Sequence, residues 1–385
     1  MARPICVVTG SRAEYGLLHG LLREIRDDKD LELQLAATGM HLSPRYGMTV
    51  SEIEADGFAI NATVDIDLDD NSGLGVAASV GRGVIGFAEA LARLRPDIVI
   101  VLGDRFEILA AVEAALFARI PVAHIHGGEL TEGAIDDAIR HAITKMAHLH
   151  FVAAEPYRLR VIQMGEDPDR VFNVGALGVD NVLRTPSLSR GDFERELNFE
   201  LGSCALLVTY HPETLGGDPE QGIRALLAAL DAVPETRVIF TSPNADPGGA
   251  AILTEIEHYV AAHSDRAIVR LSFGHALYRS ALAHVSAMVG NSSSGLIEAP
   301  AAGLPTVNIG DRQKGRLRSA SIIDCSNKRE EIASAIHRAL TPGFRAQAKA
   351  STPAYGSGDA ARRICGTLAS VQLDDLTRKV FHDLT

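Results

Sequence analysis

Basic charge is what this sequence has too little of. Its 37 lysines and arginines are outnumbered by 49 aspartates and glutamates, which leaves a formal net charge of -12 at pH 7. Non-specific nucleic-acid binding needs a basic face, so no nucleic-acid partner is expected. Anionic small molecules stay open, because local arginine clusters override the global sign. Cysteine is scarce too: Cys6, Cys204, Cys325 and Cys365 lie far apart without C-x-x-C spacing, which argues against both a zinc site and a disulfide framework. No G-x-G-x-x-G follows a predicted strand, so no dinucleotide cofactor is expected. No apolar stretch reads as long enough to span a bilayer, and the N-terminus enters a strand directly, so the expectation is a cytoplasmic protein with no membrane partner. Repeats at a solenoid period and low-complexity segments are absent as well.

What the chain does have is 385 residues of ordinary α/β composition, 46% hydrophobic and 22% charged, enough for two sizeable cores. Apolar runs of parallel-sheet type recur at Ile5–Thr9, Leu31–Thr38, Asp97–Gly103, Pro121–His126, Leu149–Ala153 and Val171–Val174. After a crossing near Gly175–Asn181 they resume at Leu206–Tyr210, Val238–Thr241, Ala267–Leu271 and Val285–Val289. Strands alternate with helices, and polar residues gather after the strands. The fold class expected is α/β, with two Rossmann-like doubly wound domains, 1–178 and 179–385, facing each other across a cleft. The polar stretch from Asp65 to Gly75 reads as a long loop.

The polar strand ends carry the chemistry. Gly290-Asn-Ser-Ser-Ser-Gly295 is strand, tight turn and helix start; its serines are placed to cap the helix, and the helix N-terminus suits an anion such as a phosphate. Glu298, one turn on, is placed for ribose-type hydroxyls. Asp311 to Arg318 then packs four cations (Arg312, Lys314, Arg316, Arg318) into one segment. Asp104-Arg105 stands at a strand's carboxyl end, where open α/β sheets bind ligands; a helix-capping acid is the competing reading. Asp136–Arg140 and Asp137–His141 are spaced i,i+4 and so are candidates for simple helix-surface pairs. His124 and His126 read as sharing one strand face, but without a third ligand no metal site is expected. His211, locked before Pro212 at a strand end, is a candidate acid–base group.

Seven motifs in order, Gly10-Ser-Arg-Ala-Glu-Tyr-Gly16, Gly103-Asp-Arg105, His124-Ile-His-Gly-Gly-Glu129, Ile135-Asp-Asp-Ala-Ile-Arg-His141, His211-Pro-Glu213, Gly290-Asn-Ser-Ser-Ser-Gly295 and Gly310-Asp-Arg-Gln-Lys-Gly-Arg316, resemble the hydrolysing UDP-N-acetylglucosamine 2-epimerases, and more narrowly the bacterial enzymes of sialic-acid synthesis. The resemblance implies a fold of the glycosyltransferase-B type and the reaction of UDP-N-acetylglucosamine with water to give N-acetylmannosamine and UDP. A base removes the C2 proton as the C1–O bond to UDP breaks, and water then adds to the glycal with inverted configuration. Carried over by motif, Asp104, Glu129, Asp136 and His211 are the acid–base candidates. Arg12, Arg105, His211 and Ser292 are candidates for the diphosphate, and Asn244, Ser293, Glu298 and Arg312 for the nucleotide or sugar. Relatives carry a catalytic carboxylate where this chain has His126, so His126 or Glu129 takes that place here; Gly16 replaces a serine found in some relatives. No cofactor is implied. Homodimers or homotetramers are.

Three alternatives stay open at this level. The motifs read UDP and the C1–C2 region of the sugar, so the same chemistry on UDP-N,N'-diacetylbacillosamine (UDP-2,4-diacetamido-2,4,6-trideoxyglucose), for legionaminic acid, fits equally. A UDP-sugar glycosyltransferase on the same fold is a different class, and fold alone does not separate it. A non-catalytic UDP-sugar sensor would have no use for Asp104, Glu129 and Asp136.

Overall fold

The computed structural model describes the chain apart from residues 1, 71, 132–134, 213–218, 244–247, 271–272 and 385. Asn244, expected to hold the nucleotide or sugar, and Glu213 of the His211 motif lie outside the described residues. The chain divides into two compact units. Unit 1 is Met1–Glu129, Ile135–Leu177 and Asp359–Thr385; unit 2 is Leu130–Ala134 and Gly178–Gly358.

Unit 1 is built on seven strands: β1 (Arg3–Thr9), β2 (Leu31–Thr38), β3 (Ala62–Val64), β4 (Ile98–Leu102), β5 (Val122–Ile125), β6 (Leu149–Val152) and β7 (Val171–Asn173). All pair in parallel, in the order β3-β2-β1-β4-β5-β6-β7. The strands read as unbroken apolar runs because both faces are covered. Ile5, Val7, Ile98 and Ile100 enter the core on one face, while Cys6, Val8, Val99 and Val101 enter the other.

Unit 2 repeats the plan with β8 (Ala205–Thr209), β9 (Arg237–Thr241), β10 (Ala267–Arg270), β11 (Ala287–Gly290), β12 (Thr306–Ile309) and β13 (Ile322–Cys325), ordered β10-β9-β8-β11-β12-β13 and again all parallel. Leu206, Val208 and Phe240 pack on one side, Leu207, Ile239 and Met288 on the other. In each sheet the strand order reverses direction at one place, between β1 and β4 and between β8 and β11. These are the switch points at which doubly wound sheets leave a crevice beyond their carboxyl ends.

Three expectations need correction. The tail does not stay with the second domain: the helix Ala360–Ser370 returns to unit 1 and packs Ala361, Ile364 and Leu368 into the core beside the helix Arg12–Asp27. The chain then runs on over unit 1. Arg170 donates to Leu376 O at 2.8 Å, and Lys379 pairs with the buried Glu166 at 2.7 Å. An apolar stripe on a late helix suits either core, which is why its sequence did not reveal its partner. Next, the helix Gly73–Leu94 is long and apolar enough, by length and composition, to cross a membrane. Glycines at 73, 75, 81, 83 and 86 and the charges of Arg82 and Glu89 hid it as a continuous element; it packs against the helix Phe106–Phe117 and against β3. Finally, the expected runs omit β3 and β13, which at three and four residues are too short for a period to show.

Candidate functional site

Unit 1 gathers charge at the β1/β4 switch point. After β1 the chain turns through Gly10 into the helix Arg12–Asp27, whose N-cap Ser11 accepts a hydrogen bond from Glu14 N. Glu14 folds back past the cap, its Oε2 accepting from Gly10 N at 2.8 Å. The helix therefore starts earlier than its apolar pattern suggests, and its own acid holds the turn that leads into it. Gly10 is required by close approach, since a Cβ there would fall 2.6 Å from Glu107 Cγ. Arg12 is exposed on the first turn.

Beneath this turn lie two acids that sequence reasoning missed. Glu107 is completely buried, and its Oε1 accepts from Arg105 Nε at 2.5 Å. Glu14 is buried beside it. Burial and the neighbouring Glu107 carboxylate push the Glu14 carboxyl up to about 8, against the pull of Arg105. Glu14 Oε1 and Glu107 Oε2 have no hydrogen-bond partner among the described residues. The pair thus anchors Arg105 from below.

Asp104 does not cap the helix that follows. It pairs with Arg140, a residue of the helix Ile135–Met146 whose side chain is 5% exposed. Arg140 also donates to His126 O at 2.9 Å and lies 3.9 Å from Glu129. Of the two expected i,i+4 contacts, Asp137–His141 is present at 3.6 Å. Asp136 is on the same helix, close enough to Arg105 to favour its charge. Asp104, His126 and Glu129 are therefore brought together, with Arg140 as the hub. From sequence alone Arg140 had no role beyond its helix spacing.

The two histidines do not share a strand face. His124 is fully buried, bonded to Gly103 O at 2.8 Å and to Thr144 at 3.2 Å, and burial holds its imidazole down to about 3. His126 follows the strand with φ of 65°, a left-handed conformation that costs a non-glycine residue about 1 kcal/mol and concentrates at functional sites. Its Nδ1 contacts Glu129 Oε1 at 2.7 Å, while its buried Nε2 has no partner among the described residues. That leaves a ring nitrogen, backed by a carboxylate, for a ligand.

Unit 2 gathers amides and hydroxyls at the β8/β11 switch point. The serines do not cap as expected. Ser293, the N-cap of the helix Ser294–Ala301, already has helical φ and ψ and makes no side-chain capping bond. Ser292 Oγ accepts only a long 3.4 Å bond from Ser294 N, and Ser294 Oγ bonds the buried Tyr278 hydroxyl. The Ser293 hydroxyl is thereby left pointing to no protein partner among the described residues. Glu298 stands one turn further along the same helix. His211 sits at the end of β8, and burial, then Arg312, holds its imidazole down to about 3. Of the four cations after β12, Arg318 is committed to Asp324 and to the carbonyls of Gln313 and Arg316, whereas Arg312 reaches Asn291 O at 3.3 Å.

Two all-parallel doubly wound domains, each with its polar residues at the switch point, define an α/β protein of the glycosyltransferase-B type. The profile of the UDP-N-acetylglucosamine 2-epimerase family matches residues 23–369, and the chain belongs to that family. It is 40% identical over 384 residues, 99% of each chain, to the GDP/UDP-N,N'-diacetylbacillosamine 2-epimerase (hydrolyzing) of Campylobacter jejuni. It is 37% identical over 378 residues, 97% of each chain, to the UDP-N,N'-diacetylbacillosamine 2-epimerase (hydrolyzing) of Legionella pneumophila. Among solved structures it resembles the UDP-GlcNAc 2-epimerase of Neisseria meningitidis bound to UDP-GlcNAc, with a TM-score of 0.80 at 17% identity over 95% of this chain and 99% of that one.

Proposed function

We propose that this protein is a hydrolysing 2-epimerase whose substrate is UDP-N,N'-diacetylbacillosamine, releasing UDP and the 2-epimeric 2,4-diacetamido-2,4,6-trideoxy sugar. The observation that carries the substrate is the full-length similarity, at 40% and 37% identity, to two enzymes named for that sugar. It favours the diacetamido sugar over UDP-N-acetylglucosamine, the first expectation from the motifs.

The mechanism follows from the kinds of group present. Removing the C2 proton while UDP leaves needs a base at C2 and cations at the departing diphosphate. In unit 1, Asp104, His126, Glu129 and Asp136 are the acid–base groups. His126, bonded through Nδ1 to Glu129, is the base at C2, its ring held in place by that carboxylate. The loss of the carboxylate found in relatives at position 126 is met by this His126–Glu129 pair. Arg12 and Arg105 neutralise charge on the leaving group. In unit 2, Ser292, Ser293, Glu298 and Arg312 hold the nucleotide, and His211, kept neutral by burial, donates or accepts a hydrogen bond without adding charge.

Incubation with UDP-N,N'-diacetylbacillosamine or UDP-N-acetylglucosamine in heavy water, with no acceptor, tests this directly; the GDP-linked diacetamido sugar is a third arm. The expected result is UDP release fastest from UDP-N,N'-diacetylbacillosamine, with deuterium at C2 of the freed sugar. Faster turnover of UDP-N-acetylglucosamine returns the substrate to the first reading. Product carrying only protium at C2 overturns the elimination mechanism, and release only in the presence of an acceptor points to a glycosyltransferase.

A further inference from the structure

Asn291 is fully buried at the carboxyl end of β11, directly beside the end of β8. Its side-chain amide is engaged in both directions by a single residue. Oδ1 accepts from His211 N at 2.7 Å, and Nδ2 donates to His211 O at 2.9 Å. They satisfy the N–H and the C=O of His211, which a longer parallel ladder would have paired. The ladder itself ends just before, with Gly290 in register with Thr209 and Asn291 N donating to Thr209 O at 3.1 Å. At Gly290 φ is 139°, and a Cβ there would fall 1.9 Å from Thr209 O, so the chain turns off the sheet tight against β8. The side chain of Asn291 then continues the pairing that its backbone has left.

The same residue faces the other way through its main chain. Its carbonyl accepts from Gln313 Nε2 at 2.9 Å and from Arg312 Nη1 at 3.3 Å. One buried asparagine thus ties the backbone of His211, at the end of β8, to the guanidinium of Arg312, after β12. The two tied groups are close enough that Arg312 opposes protonation of the imidazole. Only an amide of this length supplies an acceptor and a donor at once. Aspartate would set a carboxylate against His211 O, and serine or alanine falls short of both groups.

We propose that Asn291 is a positioning residue, holding His211 and Arg312 in one arrangement at the β8/β11 switch point without itself touching substrate. The inference rests on the roles given to His211 and Arg312 under the proposed function. Histidine-labelled full-length protein, with UDP as the probe, tests it by nitrogen resonances of the His211 ring in wild type, in Asn291→Ala and in the isosteric Asn291→Asp. Turnover is measured in the same variants, in His211→Ala and in the double variant Asn291→Ala with His211→Ala. Both Asn291 variants are expected to shift the His211 ring signals and to lower turnover by about ten- to a hundredfold, the scale of misplacement by about 1 Å. The double variant is then expected to turn over no more than about twofold slower than His211→Ala alone, because the two losses share one route. Unchanged His211 signals in the folded Asn291→Asp protein overturn the inference, as do losses that multiply in the double variant. Shifted signals together with full turnover in His211→Ala leave Asn291 as the positioner of His211 and overturn instead the role given to His211.

Discussion

At the β1/β4 switch point Asp104, Glu129, Glu14 and Glu107 surround Arg105 and Arg140, most of them buried; at the β8/β11 switch point the polar groups are Asn291, Gln313 and the serines 292 and 293, with Arg312 alongside. The sheets beneath them share one strand order, with one further strand at the β7 edge of unit 1. Carboxylates packed beside one another and beside arginines exchange protons and shift one another's affinity for them. Amides and hydroxyls do neither near neutral pH, but they donate and accept in fixed directions. The proposed function would use one scaffold twice, for a proton-handling centre in unit 1 and a holding centre in unit 2, with the difference carried by the strand ends and not by the topology.

The strongest way to break that contrast is Arg140→Met. It leaves Asp104 and Glu129 without their shared cation and removes the donor to His126 O. Urea denaturation should show a loss of about 3–5 kcal/mol, as for other buried pairs robbed of one partner, along with abolished turnover. A variant within 1 kcal/mol of wild type would mean the acids are solvated and not interlocked. Next in size, Asp104→Asn and Glu129→Gln should each lose about a hundredfold or more in turnover while binding UDP nearly as well. Ser293→Ala, in unit 2, should do the reverse and weaken UDP binding by about 1–3 kcal/mol. Calorimetry and turnover on the three variants check the division of labour, and an acid-to-amide change that loses UDP affinity without losing turnover defeats it.

Smaller effects sharpen the picture. Glu14 has a carboxyl held up near 8 by burial and by Glu107, against about 4.5 for an ordinary glutamate. A folded-state value above the unfolded one means the native protein keeps a proton that the unfolded chain has given up. Its contribution is complete below about pH 4.5 and is lost as pH rises toward 8. Glu14→Gln should flatten the fall in denaturation midpoint over that interval; an unaltered profile would assign the fall to other groups. The smallest change expected is at Lys379→Met. Glu166, which burial would raise but which His150, Lys145 and Lys379 together hold down to about 2, keeps two of those partners in the variant. A cost of about 1 kcal/mol is expected. Hydrogen exchange should quicken at the end of the helix Ile135–Met146, where Lys379 Nζ donates to Lys145 O and Ala147 O. Equal quickening in unit 2 would contradict the assignment of the tail to unit 1.

By itself the sequence determined the two doubly wound domains and the strand ends at which polar residues collect. Covered parallel strands must be apolar on both faces, and that leaves an unmistakable run such as Ile98–Leu102. It also placed Asp104 among the candidates, as a charged residue at the carboxyl end of a strand, while His126 and Glu129 entered through the resemblance of their motif to the family's. Tertiary structure alone decided which of them meet. Arg140 is one of many helix arginines until the helix Ile135–Met146 packs against β5 and the helix Phe106–Phe117 and brings it to Asp104. Glu14 and Glu107 are 93 positions apart in the chain and become neighbours only because β1 and β4 are adjacent. The left-handed turn at His126 separates it from His124, where strand alternation had put them together. Ser293 and Asn291 changed places in the same way: the expected cap makes no capping bond, and the unremarked asparagine joins His211 to Arg312. Period and composition follow from burial one residue at a time, whereas partners are chosen by packing between segments distant in the chain. No local pattern carries that choice.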